Sequence, residues 1–228
     1  MPRVRTDEPT VTSYALLGML AIRPWSSYEL AKAMNPTRGL GRMWPRARSH
    51  IYAEPKRLAD LGLAEAVRGS SGRRPRTVYT ITDAGRRALT AWLDAPAPAG
   101  PALAFESELM LKVFYADHAS RAALLATLGA IRDWSRTDLA EHSAVARSYL
   151  LGTGPFPERA AVLALGGALL FEISLAVERW SEWAQGEVAD WPDNPADAQV
   201  DWTVYERLAG HPPRPLRGEA TPSRTPPG

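Results

Sequence analysis

Residues 63–82 read LAEAVRGSSGRRPRTVYTIT and have the pattern of a β-hairpin with a basic turn. Leu63 to Arg68 and Thr77 to Thr82 are strand-like, with β-branched and aromatic side chains in the second segment, and glycines supply the turn between them. The turn, Gly69 to Arg76, carries Arg73, Arg74 and Arg76. Arginines at such a tip are badly placed for a core and well placed to bind a polyanion.

Three helices are predicted before the hairpin. Apolar residues at helical spacing place the first over 12–22, a second over 27–34 and a third from about Arg46 to Leu61, which Gly62 ends. Residues 35–44, with one proline and two glycines, are predicted to be a loop. Three helices followed by a β-hairpin make a winged helix-turn-helix, in which the third helix enters the major groove of DNA and the hairpin contacts the adjacent backbone.

The helix ends carry residues that stabilise free backbone groups. Thr12 or Ser13 is expected to cap the first helix, and Ser26 or Ser27 the second. Pro55 lies inside the third helix, where its ring displaces the hydrogen bond to Ile51. We therefore expect a kinked axis or a weakened turn there.

The third helix presents polar residues at its outward positions, namely Arg46, Arg48, Ser49 and His50. Arginine can bind guanine edges with two hydrogen bonds, or it can hold phosphate. Backbone contacts outnumber base contacts in protein–DNA complexes, so phosphate is the favoured interpretation for these arginines.

Charge is distributed unevenly along the 228 residues. Residues 1–95 hold 16 Lys and Arg against 8 Asp and Glu, a net charge of +8, whereas the remainder holds 11 against 17, a net charge of −6. A basic N-terminal part joined to an acidic C-terminal part predicts one domain that binds nucleic acid and a second domain with a different function. Chance clustering is the less favoured explanation.

The second half is predicted to be helical. Asp83 caps a helix over 84–93, a connector rich in proline and alanine follows at 95–101, and helices are predicted over 105–115, 119–151 and 158–185. Trp202 and Tyr205 are expected to strap a short helix onto this bundle, and the proline-rich end after residue 210 is expected to be disordered. The fold class is therefore mainly α. The predicted domains are a flexible N-terminus (1–11), a winged helix-turn-helix (12–95), a linker (96–104), a helical dimerisation and effector domain (105–208) and a disordered tail (209–228).

The helix predicted over 158–185 is the most regular in the chain. Its apolar residues step by three and four at Val162, Leu165, Leu169, Ile173, Ala176, Trp180 and Trp183. This spacing of about 3.5 residues is typical of helices packed along their length. Leu163, Leu170 and Val177 add a second apolar edge, and a helix that is apolar on two sides needs two partners. We expect a second subunit to cover the first face, with Val162, Leu165, Leu169, Ile173, Ala176 and Trp180 in the dimer interface.

Trp134, Trp180 and Trp183 lie on the long predicted helices. In a dimer they would line a flat apolar slot at the subunit junction, where an aromatic ligand can stack. The favoured interpretation is nevertheless a packed interface core.

Composition argues against several other classes. The chain has no cysteine, which excludes disulfides and thiolate metal sites, and its four histidines are scattered. We find no phosphate-binding glycine loop, no nucleophile set, no signal-peptide pattern and no apolar run approaching the roughly 20 residues of a membrane span. The sequence thus predicts a cytoplasmic protein that is not an enzyme and uses no metal, cofactor or membrane.

Five segments of the N-terminal half form a specific combination of motifs: Tyr14–Leu20, Ser27–Leu30, Ile51–Leu58, Leu61–Leu63 and Arg74–Thr82 with Ala84 and Gly85 after it. In this combination the N-terminal half resembles the PadR family of bacterial transcriptional regulators. Members of the family usually have leucine or a similar residue where Pro55 stands. The C-terminal half is similar to the helical dimerisation region of that family, in a looser way.

The resemblance implies a homodimer that binds a palindromic operator in double-stranded DNA, usually represses, and in many relatives is released by a small aromatic compound. By position it places Tyr28 and Tyr52 near phosphates, although both rings fit a half-packed core equally well. The complete set of expected DNA contacts is Ser27, Tyr28, Arg46, Arg48, Ser49, His50, Tyr52, Lys56, Arg73, Arg74 and Arg76. The alternative function is a winged helix that binds a protein partner instead of DNA, since fold alone does not determine function.

Overall fold

The computed structural model describes residues 8–35, 39–71, 74–96 and 106–210. The chain divides into two compact units, Met1–Leu103 and Ala104–Gly228. Both are mainly helical, and the described part of the first unit also holds a small antiparallel sheet. The expected fold class is confirmed.

The first unit contains five helices and a three-stranded sheet in the described residues. In chain order they are α1 (Val11–Ile22), β1 (Trp25–Ser26), α2 (Ser27–Ala33), α3 (Gly39–Met43), α4 (Arg48–Asp60), β2 (Ala64–Ser71), β3 (Arg74–Ile81) and α5 (Asp83–Asp94). Strand β3 lies between β1 and β2, and both pairings are antiparallel. The hairpin of β2 and β3 is the predicted wing.

The core of this unit is formed by apolar residues of α1, α2 and α4. Seven side chains have at most 2% of their surface exposed: Leu16, Leu17, Leu20, Leu30, Met34, Ile51 and Leu58. Trp25 closes one edge, since its indole Nε1 donates to the carbonyl of Met19 at 2.8 Å. The unit thus buries these side chains without help from another chain, whereas Trp92 and Leu93 of α5 remain 41% and 65% exposed.

Helix α4 ends where the sequence predicts. Gly62 has φ of +70°, a left-handed conformation that glycine adopts without strain. The amide of Leu63 then donates to the carbonyl of Leu58 at 2.9 Å, as in a Schellman cap. This turn sends the chain directly into β2.

Several boundaries differ from the sequence predictions. The N-cap of α1 is Thr10, since its side chain and that of Ser13 bond to each other's backbone amides, and that of α5 is Thr82. The predicted loop 35–44 contains α3, and β1 is a strand too short for periodicity to reveal. Helix α4 begins at Arg48 and continues through the buried Pro55 without a break. For α2, the cap is Ser26, one of the two expected.

The second unit is built on two long helices, α7 (Arg121–Leu150) and α8 (Ala160–Ala189). They follow α6 (Glu108–Phe114) and precede α9 (Trp202–Ala209). Arg132 near the start of α7 donates to Gln185 near the end of α8, and Ser174 donates to Asp138, so the two helices run antiparallel. The helix predicted over 105–115 is shorter than expected, and α8 extends beyond the predicted end at residue 185.

Small residues on α8 face α7. Ser174, Ser181, Ala184 and Val188 are buried, and they recur at steps of seven, three and four. On the surface of the pair, Arg136 of α7 donates to Glu178 at 3.0 Å and to Glu182 at 2.7 Å. The hydrogen bond to Glu178 and then the one to Glu182 raise the pKa of this guanidinium above its usual value.

The opposite face of α8 is uncovered. An 18-residue window within Pro157–Ala189 has a mean hydropathy of 2.1, no more than two charged residues and only 6% of its residues buried. By length and composition this helix could cross a membrane, so the expectation that no apolar run approaches that length is wrong. Its composition follows from two apolar faces, of which α7 covers one.

Helix α9 is present as predicted, but its two aromatic residues do not pack it against the helical bundle. Trp202 and Tyr205 are exposed, and their rings contact each other at a tilt of 44° with centroids 5.7 Å apart. Instead, the guanidinium of Arg207 lies over the ring of Trp183, with Cζ 5.2 Å from its centroid. The predicted disordered end after residue 210 falls outside the described residues.

Candidate nucleic-acid interface

Helix α4 presents a polar face to solvent. Arg48, Ser49, His50, Tyr52 and Lys56 are exposed, whereas Ile51, Pro55 and Leu58 are buried. The buried residues are spaced by four and three, which turns the intervening positions outward. Five of the predicted DNA contacts therefore share one exposed helix surface.

Arg46 does not belong to this surface. It precedes the N-cap of α4, Ala47, and its guanidinium lies over the ring of Trp44 with Cζ 3.9 Å from the centroid. The same group donates to the carbonyl of Pro45 at 2.7 Å. Its predicted place on the outward face of the third helix is wrong, because α4 starts two residues later than the sequence pattern indicates.

A polar cluster not predicted from the sequence joins α4 to α1. Arg57 Nη1 donates to Ser13 Oγ and to Glu54 Oε1, each at 2.9 Å, and the hydroxyl of Ser13 also donates to Glu54. Ser13 is fully buried. Charge-assisted hydrogen bonds of this kind fix the orientation of α4 against α1. Ser13 and Glu54 are 41 residues apart, so no local pattern reveals the pairing.

Helix α2 begins beside the sheet and packs against α4. The hydroxyl of Ser26 accepts from the amide of Glu29, and the carboxylate of Glu29 accepts from the amide of Ser26 at 2.9 Å, a reciprocal cap. Ser27 is partly buried in the first turn. Tyr28 is 63% exposed, so its ring lies mostly outside the core, whereas Tyr52 of α4, at 40% exposed, still fits a half-packed position.

The wing extends further than predicted. Strands β2 and β3 pair as far as Ser71 opposite Arg74, with Gly69 opposite Arg76. Arg74 and Arg76 therefore belong to strand β3, not to an open turn, and Arg73 lies outside the described residues. Strand β2 also carries the exposed Arg68, opposite Thr77, a basic residue that the hairpin pattern alone does not single out.

The predicted ligand residues separate into two groups. Trp180 and Trp183 of α8 line one cleft in the second unit, together with Trp191, whereas Trp134 does not line it. Within the described ranges, no group of three or more His, Asp or Glu side chains is arranged to hold a metal ion.

Most of the predicted interface residues lie on the uncovered side of α8, whereas Trp180 packs against the buried cluster that includes Leu128 and Ala184. Val162, Leu165 and Leu169 are 64%, 76% and 43% exposed, Ala176 is exposed, and Ile173 and Trp180 are partly buried. Large apolar side chains this exposed along one helix face are typical of a surface that another molecule covers.

Comparison with known proteins finds one family match in each unit. The profile of the "Transcriptional regulator PadR-like family" matches residues 16–91, and that of "Virulence activator alpha C-term" matches residues 106–188. The chain is 31% identical over 112 residues to the "Negative transcriptional regulator PadR" of Bacillus subtilis (strain 168). That match covers 49% of this chain and 59% of the relative, so the chain aligns with less than two thirds of the relative's length.

Two solved structures of Bacillus subtilis PadR share the fold. The structure in complex with operator DNA has a TM-score of 0.64 at 23% identity, covering 78% of this chain and 99% of that one. The structure in complex with p-coumaric acid has a TM-score of 0.57 at 23% identity, covering 79% and 96%.

The family matches bear on both the resemblance and the predicted class of function. The motifs that carry the resemblance lie almost entirely within residues 16–91, the segment that the regulator profile matches. The prediction of a transcriptional regulator, and not an enzyme, is confirmed by the matched families and the curated relative. By these matches, residues 16–91 of the chain are similar to the PadR-like family of transcriptional regulators.

Proposed function

We propose that this chain is a cytoplasmic, homodimeric repressor that binds a palindromic operator in double-stranded DNA. The observation that carries the proposal is the exposed polar face of α4, which holds Arg48, Ser49 and Lys56 on a helix fixed by the Ser13–Glu54–Arg57 cluster. A rigid helix with cationic and hydroxyl side chains on its free face is suited to a major groove.

The remaining contacts surround that helix. Tyr28 at the start of α2 would donate its hydroxyl to a phosphate, and the wing arginines would bind the adjacent DNA backbone. The net charge of +8 on residues 1–95 favours a polyanion over an ordinary protein partner. The operator-bound structure of Bacillus subtilis PadR, which has the same fold, supports the assignment.

Two copies are needed to recognise a palindrome. The uncovered apolar face of α8, with Val162, Leu165 and Leu169, is the proposed interface between subunits. A dimer formed there would present two α4 helices to half-sites spaced by about one helical turn of DNA, or a small multiple of it. The same face explains the apolar composition of α8 without a membrane.

Release by a small effector is part of the proposal. An effector would stabilise a dimer geometry whose half-site spacing does not fit the operator. The p-coumaric acid complex of Bacillus subtilis PadR is the precedent for a small molecule bound to this fold. The aromatic cleft around Trp180 and Trp183 is the proposed place for it here.

The direct experiment is footprinting of the DNA upstream of the chain's own gene with the purified protein. We expect protection of a palindrome, with affinity that falls steeply as salt rises from about 50 to 200 mM. A chain that neither protects a palindrome nor binds any duplex at low salt would instead fit the alternative, a winged helix that binds a protein partner.

A further inference from the structure

The cleft of the second unit combines aromatic rings with acidic side chains. It has a volume of about 560 Å³ and lies between the segment that follows α6, helices α7 and α8, and the turn at Pro195. Its aromatic lining is Phe114, Trp180, Trp183 and Trp191. The charged residues that line it are Asp117 and Glu187, and no described lysine, arginine or histidine lines it.

Both carboxylates are available to a ligand. Among the described residues, Glu187 has no ion pair or side-chain hydrogen bond. Asp117 is 58% exposed, and its Oδ2 lies 3.6 Å from Nε2 of His118, which does not line the cleft. Two negative charges at the edge of an apolar cleft favour a cationic ligand and disfavour an anionic one.

One of these rings, that of Trp183, already lies beside a cation. The guanidinium of Arg207 lies 5.2 Å from the centroid of Trp183, inside the distance at which the face of an indole attracts positive charge. Trp183 is thus oriented so that one face accepts a cation from α9. Rings and carboxylates together form the kind of surface that binds ammonium groups.

We propose that this cleft binds a hydrophobic cation, an aromatic or alkyl body that carries an ammonium group. The aromatic rings would cover the apolar body, and Glu187 and Asp117 would pair with the charge. The proposal rests on the proposed function, because it names the chemical class of the effector. It also distinguishes this chain from the relative that binds p-coumaric acid, whose carboxylate is negative at neutral pH.

The experiment is calorimetric titration of the full chain, without DNA, with three small probes of similar size. The probes are benzyltrimethylammonium, benzyl alcohol and phenylacetate. We expect the cation to bind roughly tenfold more tightly than the neutral alcohol, because cation–π attraction and charge pairing both favour it, and the anion to bind most weakly. Equal affinity for all three, or preference for phenylacetate, would overturn the proposal.

Matched variants locate the site. Glu187→Gln is expected to weaken the binding of benzyltrimethylammonium about threefold to tenfold and to leave the binding of benzyl alcohol unchanged. The substitution keeps the shape of the side chain and removes its charge. Glu158→Gln, an exposed carboxylate that does not line the cleft, is the control and should change neither. An unchanged cation affinity in Glu187→Gln would exclude the cleft as the cation site.

Arg207→Gln is expected to change the affinity for benzyltrimethylammonium in the opposite direction. Because its guanidinium already lies over Trp183, removing that charge is expected to tighten cation binding several-fold. Weaker cation binding in this variant would contradict the assigned role of the ring. Operator binding by the ligand-free chain is measured separately, so failure of the cation titration leaves the DNA-binding proposal standing, and the reverse also holds.

Discussion

The two units solve the burial of apolar surface in different ways. The first encloses Leu16, Leu17, Leu30 and Leu58 almost completely with its own helices and sheet. The second pairs α7 with α8 and leaves Leu165 and its neighbours on the far face of α8 uncovered. The difference supports the proposed division of tasks, in which the first unit forms its own core and the second associates with another molecule through α8.

A charge introduced on the uncovered face of α8 should have the largest effect on oligomeric state and on operator affinity. Leu165→Arg places a cation in the proposed subunit interface and is expected to convert the dimer into a monomer of 24.9 kDa. Operator affinity should then fall by roughly 10²–10⁴, because the two recognition helices no longer bind as one unit. Sedimentation and operator titration measure the two effects.

Ala126→Arg is the control, since Ala126 is an exposed alanine on α7. It should leave both the mass and the affinity unchanged. An unaltered chain that already sediments as a monomer and partitions into lipid vesicles would assign the face of α8 to a membrane and not to a second subunit.

A cavity in the first unit tests whether its core is self-sufficient. Leu17→Ala removes a fully buried side chain and should cost about 2–5 kcal/mol of unfolding free energy. Hydrogen exchange should quicken in α1 and α4 and stay unchanged in α7 and α8. Val11→Ala, at an exposed position of the same helix, should be nearly neutral. Faster exchange throughout α7 would show that the two units unfold together.

Arg48→Ala tests base recognition by the first unit. If Arg48 contacts a guanine, its removal should cost about 1–3 kcal/mol and relax the preference at one base pair of each half-site. If it contacts phosphate, as we favour, binding should weaken on all sequences alike. Affinity measured on a panel of single-base operator variants separates the two, and Lys56→Ala supplies a phosphate-type comparison on the same helix.

The wing should give the smallest change, visible as salt dependence. Replacing Arg73 and Arg74 with alanine is expected to weaken binding to all DNA sequences similarly. The slope of log affinity against log salt should also fall by about 1 for each phosphate that is no longer neutralised. An unchanged slope would remove both arginines from the interface. Arg179→Ala, on α8 of the acidic second unit, is the control for a simple decrease in positive charge.

Local patterns in the sequence predict most of the first unit. Its helices, its hairpin and the end of α4 at Gly62 follow from periodicity and from residues that favour turns. What local patterns miss are features set by distant contacts. Strand β1 exists because Trp25 and Ser26 pair with β3, and Ala47 starts α4 without a side-chain cap to mark it.

The second unit shows more clearly what the sequence alone does not predict. The periodicity of α8 is visible in the sequence, and so are its two apolar edges. Which edge α7 covers depends on the small residues Ser174, Ser181 and Ala184, which allow close approach. Hydrophobicity alone would predict that α7 covers the large apolar residues of α8 instead. The cleft is not predictable from hydrophobicity either, because Asp117, which lines it with Trp180 and Trp183, is 63 residues from Trp180 in the sequence.

The buried hydroxyl and carboxylate between α7 and α8 restrict how this unit can change shape. Ser174 donates to Asp138 at 2.6 Å where both side chains are shielded from water, and His142 lies 3.7 Å from the same carboxylate. A shift of one helix by a single turn, about 5.4 Å, would separate the hydroxyl from the carboxylate and break this buried hydrogen bond. The bond therefore disfavours sliding of one helix along the other, and we expect a signal that passes through this unit to tilt or rotate the two helices together.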